Sequence, residues 1–338
     1  MPVEILSAAC AFCTGLLLDA LIGDPHSLPH PVRAIGTLIQ ILEKWLRSLF
    51  PETPAGEFAA GVFLVLITTV LTGTVAVLFL TVPARAAAYF LGEAAGYICR
   101  FLAESLSVFY FLAIRSLRDE STPVARALLE HDLPAARRAV SMIVGRDTER
   151  LDEEGVAMAC VETVAEGTSD GAVSPLFWYA AAGPAGAWVY KAVNTMDSMV
   201  GYRNEKYLFF GRAAARTDDA ANWLSSRLAA LLMILSAFLL QMDGKSAWRI
   251  WRRDRRKHKS PNSAQTESVC AGALGLRLAG DAWYSGTLVK KPWLGDRKKP
   301  CTPEDIGRAQ KLMTLTSYLM AVLALAVRIL LLTVIWGG

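Results

Sequence analysis

Two long stretches of this chain are almost entirely apolar. Phe58 to Val82 holds 25 residues without a charge, roughly 37 Å as a helix at 1.5 Å per residue. That exceeds the ~30 Å hydrocarbon thickness of a bilayer. Leu312 to Trp336 is nearly as long and is interrupted only by Arg328. Both runs predict membrane-spanning helices, because a soluble core helix does not need so long an uncharged stretch. Ile5 to Ile22 is apolar up to Asp19. It has no basic segment before it and no small-residue cleavage site, so it predicts an uncleaved helix rather than a signal peptide. Gly171 to Tyr190 is uncharged but carries Gly183-Pro184-Ala185-Gly186 in its middle. That predicts a kinked or broken helix, whose freed backbone groups need protein or water partners. Leu228 to Met242 is short, with Arg227 at its edge placed to snorkel. Ala84 to Leu117 is amphipathic, with Glu93, Arg100 and Glu104. It either spans with its charges toward the bundle or lies in the interface. The pattern predicts an all-α, polytopic integral membrane protein with about four to six transmembrane helices joined by helical cytoplasmic loops.

Three polar stretches interrupt this pattern within a single membrane domain covering residues 1–338. The first, Asp24 to Pro54, opens with Pro25, Pro29 and Pro31 as a stiff loop. Apolar residues at 35, 38, 39, 42, 46 and 49 then predict an amphipathic helix. The second, a mainly soluble helical insertion at about 115–170, has a helix start at Asp132-Leu133-Pro134. A further helix is expected to be capped by Asp147 or Thr148 and ended by Gly167. The third is a basic loop at about 243–310. No alternating strand pattern and no internal repeat is visible.

Apolar residues make up 53% of the 338 and charged ones 20%, with a formal net charge of +4. The excess sits in Lys245 to Lys259, which holds eight Lys or Arg and one acid. Beside membrane spans such a run reads as a cytoplasmic topology signal facing anionic lipid, not as a nucleic-acid site. With every candidate spanning, 24–57 and 115–170 also face the cytoplasm and 191–222 faces outward; a re-entrant Gly171–Tyr190 would change that parity. Cys10 and Cys13 form a C-x-x-C inside an apolar helix, where burial suppresses the thiolate. All six Cys read as packing residues.

The candidate chemistry lies in the polar stretches. Glu162 and Glu166 are four apart and share a helix face; Asp170 is expected to curl back from a loop after Gly167. Three carboxylates at the mouth of an uncharged span could gather Mg²⁺, which takes a few carboxylates plus waters and phosphate oxygens; a solvated helix face followed by a capping loop is the plainer alternative. Asp218-Asp219 close a mixed-charge loop holding Asp197, Arg203, Lys206, Arg212 and Arg216, a composition that suits a phosphate-bearing ligand or simply a solvated loop. The Pro-rich opening presents Asp24, His30 and Arg33 on a rigid loop. Ser260 to Glu267 reads as a turn leading into a helix start that offers N–H groups to an anion. No P-loop, G-x-S-x-G or H-E-x-x-H occurs.

These blocks together resemble the CobD/CbiB family of cobalamin-biosynthesis membrane proteins, the adenosylcobinamide-phosphate synthases. The resemblance is carried by Asp19–Gly36 (DALIGDPHSLPHPVRAIG), Ile143–Asp147 (IVGRD), Glu162–Phe177 (ETVAEGTSDGAVSPLF) and Tyr190–Tyr207 (YKAVNTMDSMVGYRNEKY). It continues through Phe210–Arg216 with Asp218-Asp219, and Ser260–Gly280. Gly167 stands where Asn is expected, Ser174 where Ala is usual and Ser263 where Ala is common. The resemblance implies a cell-membrane ligase that joins adenosylcobyric acid to aminopropanol phosphate (or aminopropanol) using ATP and Mg²⁺. The bilayer and other corrinoid-pathway enzymes are its expected partners. It assigns Glu162, Glu166, Asp170 and Asp219 to catalysis, and Glu162, Glu166, Asp170 and Asp218 to Mg²⁺. Arg33, Arg146, Lys191 and Arg203 would meet phosphates, and Asp24, His30, Asn262 and Glu267 would help bind substrate. A non-catalytic AmpE-like sensor and a small-molecule transporter are the alternatives. The transporter is disfavoured because only one span is interrupted and no repeat is seen.

Overall fold

The computed structural model describes residues 3–24, 29–202, 204–284 and 286–337. Helices α1 (Val3–Ile22), α2 (Pro31–Leu49), α3 (Pro54–Leu91), α4 (Glu93–Phe111), α5 (Ile114–Leu129), α6 (Leu133–Ser141) and α7 (Glu153–Gly167) come first. A π-helical turn, Thr168–Val173, leads into α8 (Ser174–Val200), α9 (Arg212–Ala221), α10 (Trp223–Leu239), α11 (Gly244–Asp254) and α12 (Ser263–Leu274). Strands β1 (Arg277–Ala279), β2 (Ala282–Tyr284), β3 (Thr287–Val289) and β4 (Trp293–Gly295) precede α13 (Pro303–Gly337). The chain is a predominantly helical, multi-pass membrane protein. Four helical stretches, Val3–Ile22, Pro54–Leu91, Glu93–Leu129 and Pro303–Ile335, are long and apolar enough to cross a bilayer. α3 leaves Phe63, Leu66, Val70, Val75 and Val77 exposed. Water would penalise so continuous an apolar face, and lipid accepts it.

Two compact units divide the chain. The first comprises Met1–Leu112, Pro175–Ala221 and Val322–Gly338. Its core forms where the predicted stripe of α2, Ile35, Ile39, Leu42 and Leu46, packs on Ala60 and Leu64 of α3, Trp188 and Met196 of α8, and Phe210. α2 starts earlier than the apolar pattern suggests: Pro31 occupies its first turn and His30 Nδ1 accepts the Val32 N–H at 3.2 Å. The stretch 84–117 is not one helix. α3 continues through Pro83 to Leu91, and Gly92, at φ 96°, separates it from α4. The 194–222 stretch, read from sequence as a loop, is largely the end of α8 and the whole of α9.

α8 does break where expected, at Gly183 (φ 69°, ψ −166°). A Cβ there would stand 2.7 Å from the Arg328 guanidinium. The one charge in the apolar run of α13 thus lies against the broken turn, where freed carbonyls need a donor. Gly183→Ala should lose about 1–2 kcal/mol to left-handed strain alone, besides displacing Arg328. Thermal melts in detergent should show a clear drop for this variant and none for Gly307→Ala, a helical position with nothing within 4 Å of its would-be Cβ.

The second unit comprises Ala113–Ser174 and Asn222–Ala321, so the predicted helical insertion and basic loop fall together. Asp132 caps α6 as expected, accepting the Ala135 N–H. α7 is capped by Asp152, not by Asp147 or Thr148. Gly167 does not end the helix: it has right-handed φ/ψ, and the backbone runs on through the π-turn. Its lack of a side chain serves packing instead, since a Cβ would lie 2.7 Å from Leu117 Cδ2 of α5. Two antiparallel strand pairs, β1–β4 and β2–β3, add a feature absent from the all-α expectation. Three-residue strands are too short for alternation to register. Two of the four cations of α11, Arg249 and Arg253, are paired with carboxylates of this unit. Asp254, fully buried, pairs with Arg253 and Lys257 and accepts the Gly295 N–H, while Arg249 and Arg253 pair with Asp296.

Candidate functional site

The second unit gathers ionisable groups around the C-terminal half of α7. Glu162 is buried there. Its Oε2 pairs with the Arg146 guanidinium, and its Oε1 accepts the backbone N–H of Ala279 at 2.8 Å. Ala279 adopts φ 63°, a left-handed conformation that a non-glycine residue holds only at a cost. Arg146 lies in a loop fixed to the β2–β3 pair. The Asp147 N–H donates to Trp283 O, Asp147 Oδ2 accepts the Gly286 N–H (both 2.8 Å), and Arg150 stacks on the Trp283 ring. Burial alone would pull the Arg146 pKa down, but the charge and hydrogen bond of Glu162 outweigh it and hold it above its ordinary value.

Glu267 on α12 is the second focus. Burial first, then the charges of Glu166 and Glu162, push its pKa well above the ordinary carboxyl value, against the partial relief of Lys291 and Arg146. His258 is pulled down by burial and by Lys291, with Glu166 opposing. The shared influence of Glu162 and Glu166 on these two groups reflects their i, i+4 spacing along one helix face. Glu166 is exposed and makes no hydrogen bond or ion pair among the described residues. Thr266 Oγ1 and Ser169 Oγ, neighbours in sequence of Glu267 and Asp170, are buried without a hydrogen-bond partner among those residues.

The remaining predicted residues divide between the units. Asp170 sits on the π-turn rather than in a loop. π-turns recur at functional sites because they widen the helix locally. Asn262 has its side-chain oxygen taken by Ser226 Oγ (3.1 Å) and the Arg227 guanidinium (3.3 Å). The Ser260–Glu267 segment does not offer an open anion loop: α12 is buried from Ala264 to Leu274, and Gln265 ties Trp251 to Pro261. Ser174, the departure noted before Pro175, hydrogen-bonds Asn222 and Ser225. In the first unit, His30 lies 3.4 Å from Asp24 and meets the Tyr110 ring edge-on. Arg33 and Lys191 belong to α2 and α8. Asp218, buried, accepts from Asn194 Nδ2 at 3.4 Å, with Asp219 beside it on α9. Lys206 and Tyr207, inside a matching block, join Arg47 around the buried Glu43 and so hold structure. Arg203 lies outside the described residues.

No three His, Cys, Asp or Glu among the described residues stand close enough to hold a metal ion. Glu162, Glu166, Asp170 and Asp218 therefore form no ready-made cage, and both oxygens of Glu162 are engaged. A Mg²⁺ that keeps its waters and phosphate oxygens needs only one or two carboxylates, and of these four Glu166 is the exposed one with no hydrogen bond or ion pair among the described residues. Ala279, His258 and Lys291 were not singled out from sequence. Ala279 contributes only a backbone N–H, which leaves no side-chain signal. All six cysteines are free, and only part of the packing expectation holds: Cys160, Cys270 and Cys301 are buried, whereas Cys10 and Cys13 lie exposed on α1. Burial pushes the Cys160 thiol up to about 12.

Residues 12–313 match the family model described as CobD/Cbib protein. The chain is similar to the cobalamin biosynthesis protein CobD of Geobacter metallireducens, at 48% identity over 87% of this chain and 88% of that one. It is 41% identical to the CobD protein of Listeria monocytogenes over 95% of this chain and 98% of the relative. With the cobalamin biosynthesis protein CbiB of Salmonella typhi it shares 42% identity over 94% and 97%. No solved structure gives a significant match.

Proposed function

The chain belongs to the CobD/CbiB family of cobalamin-biosynthesis proteins, and from that premise we propose that it is an amide-forming ligase of the cell membrane. The reaction joins a carboxylate of adenosylcobyric acid to the amine of (R)-1-aminopropan-2-ol O-phosphate. A carboxylate is a poor acyl donor, so its oxygen first attacks the γ-phosphorus of ATP, releasing ADP and leaving an acyl phosphate. The amine nitrogen then attacks the acyl carbon; phosphate departs and the nitrogen sheds one proton. Mg²⁺, when bound with the nucleotide, supplies charge neutralisation on phosphate oxygens.

The observation that carries this reading is the buried Arg146–Glu162–Ala279 constellation beside Glu267. Arg146, fixed by Glu162, presents a permanent cation for charge developing on phosphate oxygens. Burial and the charges of Glu166 and Glu162 favour the protonated form of Glu267, which suits it as a donor toward a departing oxygen. Glu166, exposed and uncommitted, accepts the amine proton. The test is direct. Purified protein in detergent receives adenosylcobyric acid, the amino-alcohol phosphate, ATP and Mg²⁺. Amide product is sought by mass, with one ADP and one phosphate per amide. ADP release without amide, or amide without ADP release, would refute the ligation. Glu166→Gln should abolish turnover while the protein remains folded; near-normal turnover would remove Glu166 from the site.

A further inference from the structure

A cavity of about 300 Å³ in the second unit lies between the first turns of α7 and the β1–β4 pair. Arg146 forms part of its wall, so it adjoins the constellation above. Its other charged walls are Asp152, Glu154, Arg277, Asp281 and Arg297. Several of these are committed. Arg297 pairs with Glu154 at 2.6 Å, Asp152 accepts the Gly155 N–H, and Arg146 holds Glu162. Arg277 is different. Its guanidinium stacks on the Trp293 ring at 4.3 Å, and no carboxylate among the described residues pairs with it. The ring itself is seated by Gly280, where a Cβ would lie 2.5 Å from it. The cavity thus holds a cation oriented by stacking yet left free to bind an anion. Asp281, an exposed carboxylate, lines the same space and among the described residues accepts the Lys291 N–H at 3.2 Å and no other hydrogen bond.

We infer that this cavity is the subsite for a compact ligand carrying both a phosphate and an amine, the phosphate on Arg277 and the ammonium on Asp281. Three facts select that class. The volume is at the lower limit of small-molecule pockets, too small for a corrin macrocycle. The walls carry both signs of charge, which suits a zwitterion better than a polyanion. The Arg146 side of the cavity leads to Glu162, so an amine bound here is adjacent to the proposed acyl-transfer site. The assignment rests on the proposed ligation, since it names where that reaction's amine partner is held.

Calorimetry on the full chain in detergent tests it with four probes: aminopropanol phosphate, aminopropanol, inorganic phosphate and ATP. Arg277→Gln should raise the Kd for aminopropanol phosphate and inorganic phosphate by 10- to 100-fold and leave aminopropanol unchanged. Asp281→Asn should weaken both amines and spare phosphate. In turnover, both variants should raise KM for the amine with little change in kcat, and Arg277→Lys should recover part of the loss. Unchanged affinities in a folded Arg277→Gln protein would overturn the assignment, as would an effect confined to ATP, which would make this a nucleotide site. The two readings fail separately. Arg277-dependent binding without any amide product would sink the ligation alone, and amide formation with an unaltered KM in Arg277→Gln would sink the subsite alone.

Discussion

Glu267→Gln is expected to make the protein more stable at neutral pH while cutting turnover by roughly 10²- to 10⁴-fold, the range for loss of a general acid or base. Both effects follow from the same burial. The Glu267 carboxyl is held well above its ordinary 4.5 by desolvation and by the charges of Glu166 and Glu162. Below pH 4.5 it is protonated in folded and unfolded chains alike and contributes nothing to the pH dependence of stability. Between 4.5 and its folded-state pKa, the unfolded chain releases a proton that the folded chain retains. Stability of the parent protein therefore falls as pH rises through that window, by about 1.36 kcal/mol for each unit. Gln has the shape of the protonated acid and does not titrate, so the variant loses that slope. Thermal midpoints measured from pH 4 to 8 should diverge steadily, with the variant higher at the alkaline end. Parallel curves would mean that Glu267 titrates normally, and full activity in the variant would remove its proton from the chemistry.

The second large effect concerns the Arg146–Glu162 pair. The two side chains are 17% and 6% exposed, well below the level at which solvent screens a pair away. Removing one partner of such a pair leaves a buried charge uncompensated and costs about 3–5 kcal/mol. Arg146→Met should therefore destabilise strongly, because Glu162 keeps only the Ala279 N–H. Glu162→Gln should cost less: its amide oxygen can still accept that N–H, and half-buried Arg146 retains some access to water. The double variant should recover most of the stability lost in Arg146→Met, since no lone charge remains, yet turnover should stay abolished in all three. A double-mutant cycle from urea or thermal unfolding in detergent measures the coupling. Additive losses would show that the pair is not coupled. Restored turnover in the double variant would show that its role is only to hold the fold.

Much of this architecture is local and so was legible in the residues. The apolar run 58–82 predicted the body of α3, the positions 35, 39, 42 and 46 predicted the buried face of α2, and Asp132-Leu133-Pro134 marked the start of α6. The Gly183-Pro184 break is likewise a property of the two residues that make it. Helix boundaries were less legible where a residue has two uses. Gly167 signals a stop by composition, but here it opens room for Leu117, and the chain stays helical through Asp170.

The sequence alone determined the apolar runs of α1, α3 and α13, the helical character, the family and the shared face of Glu162 and Glu166, because hydropathy, capping and four-residue spacing act over a few neighbouring residues. Only the tertiary structure decided what those carboxylates do. Glu162 meets an N–H 117 positions away, from an alanine with no side-chain chemistry. The protonation of Glu267 depends on burial and on charges more than a hundred residues earlier in the chain. Such contacts depend on how distant segments pack, and desolvation depends on everything around the group, so neither has a signature in local pattern.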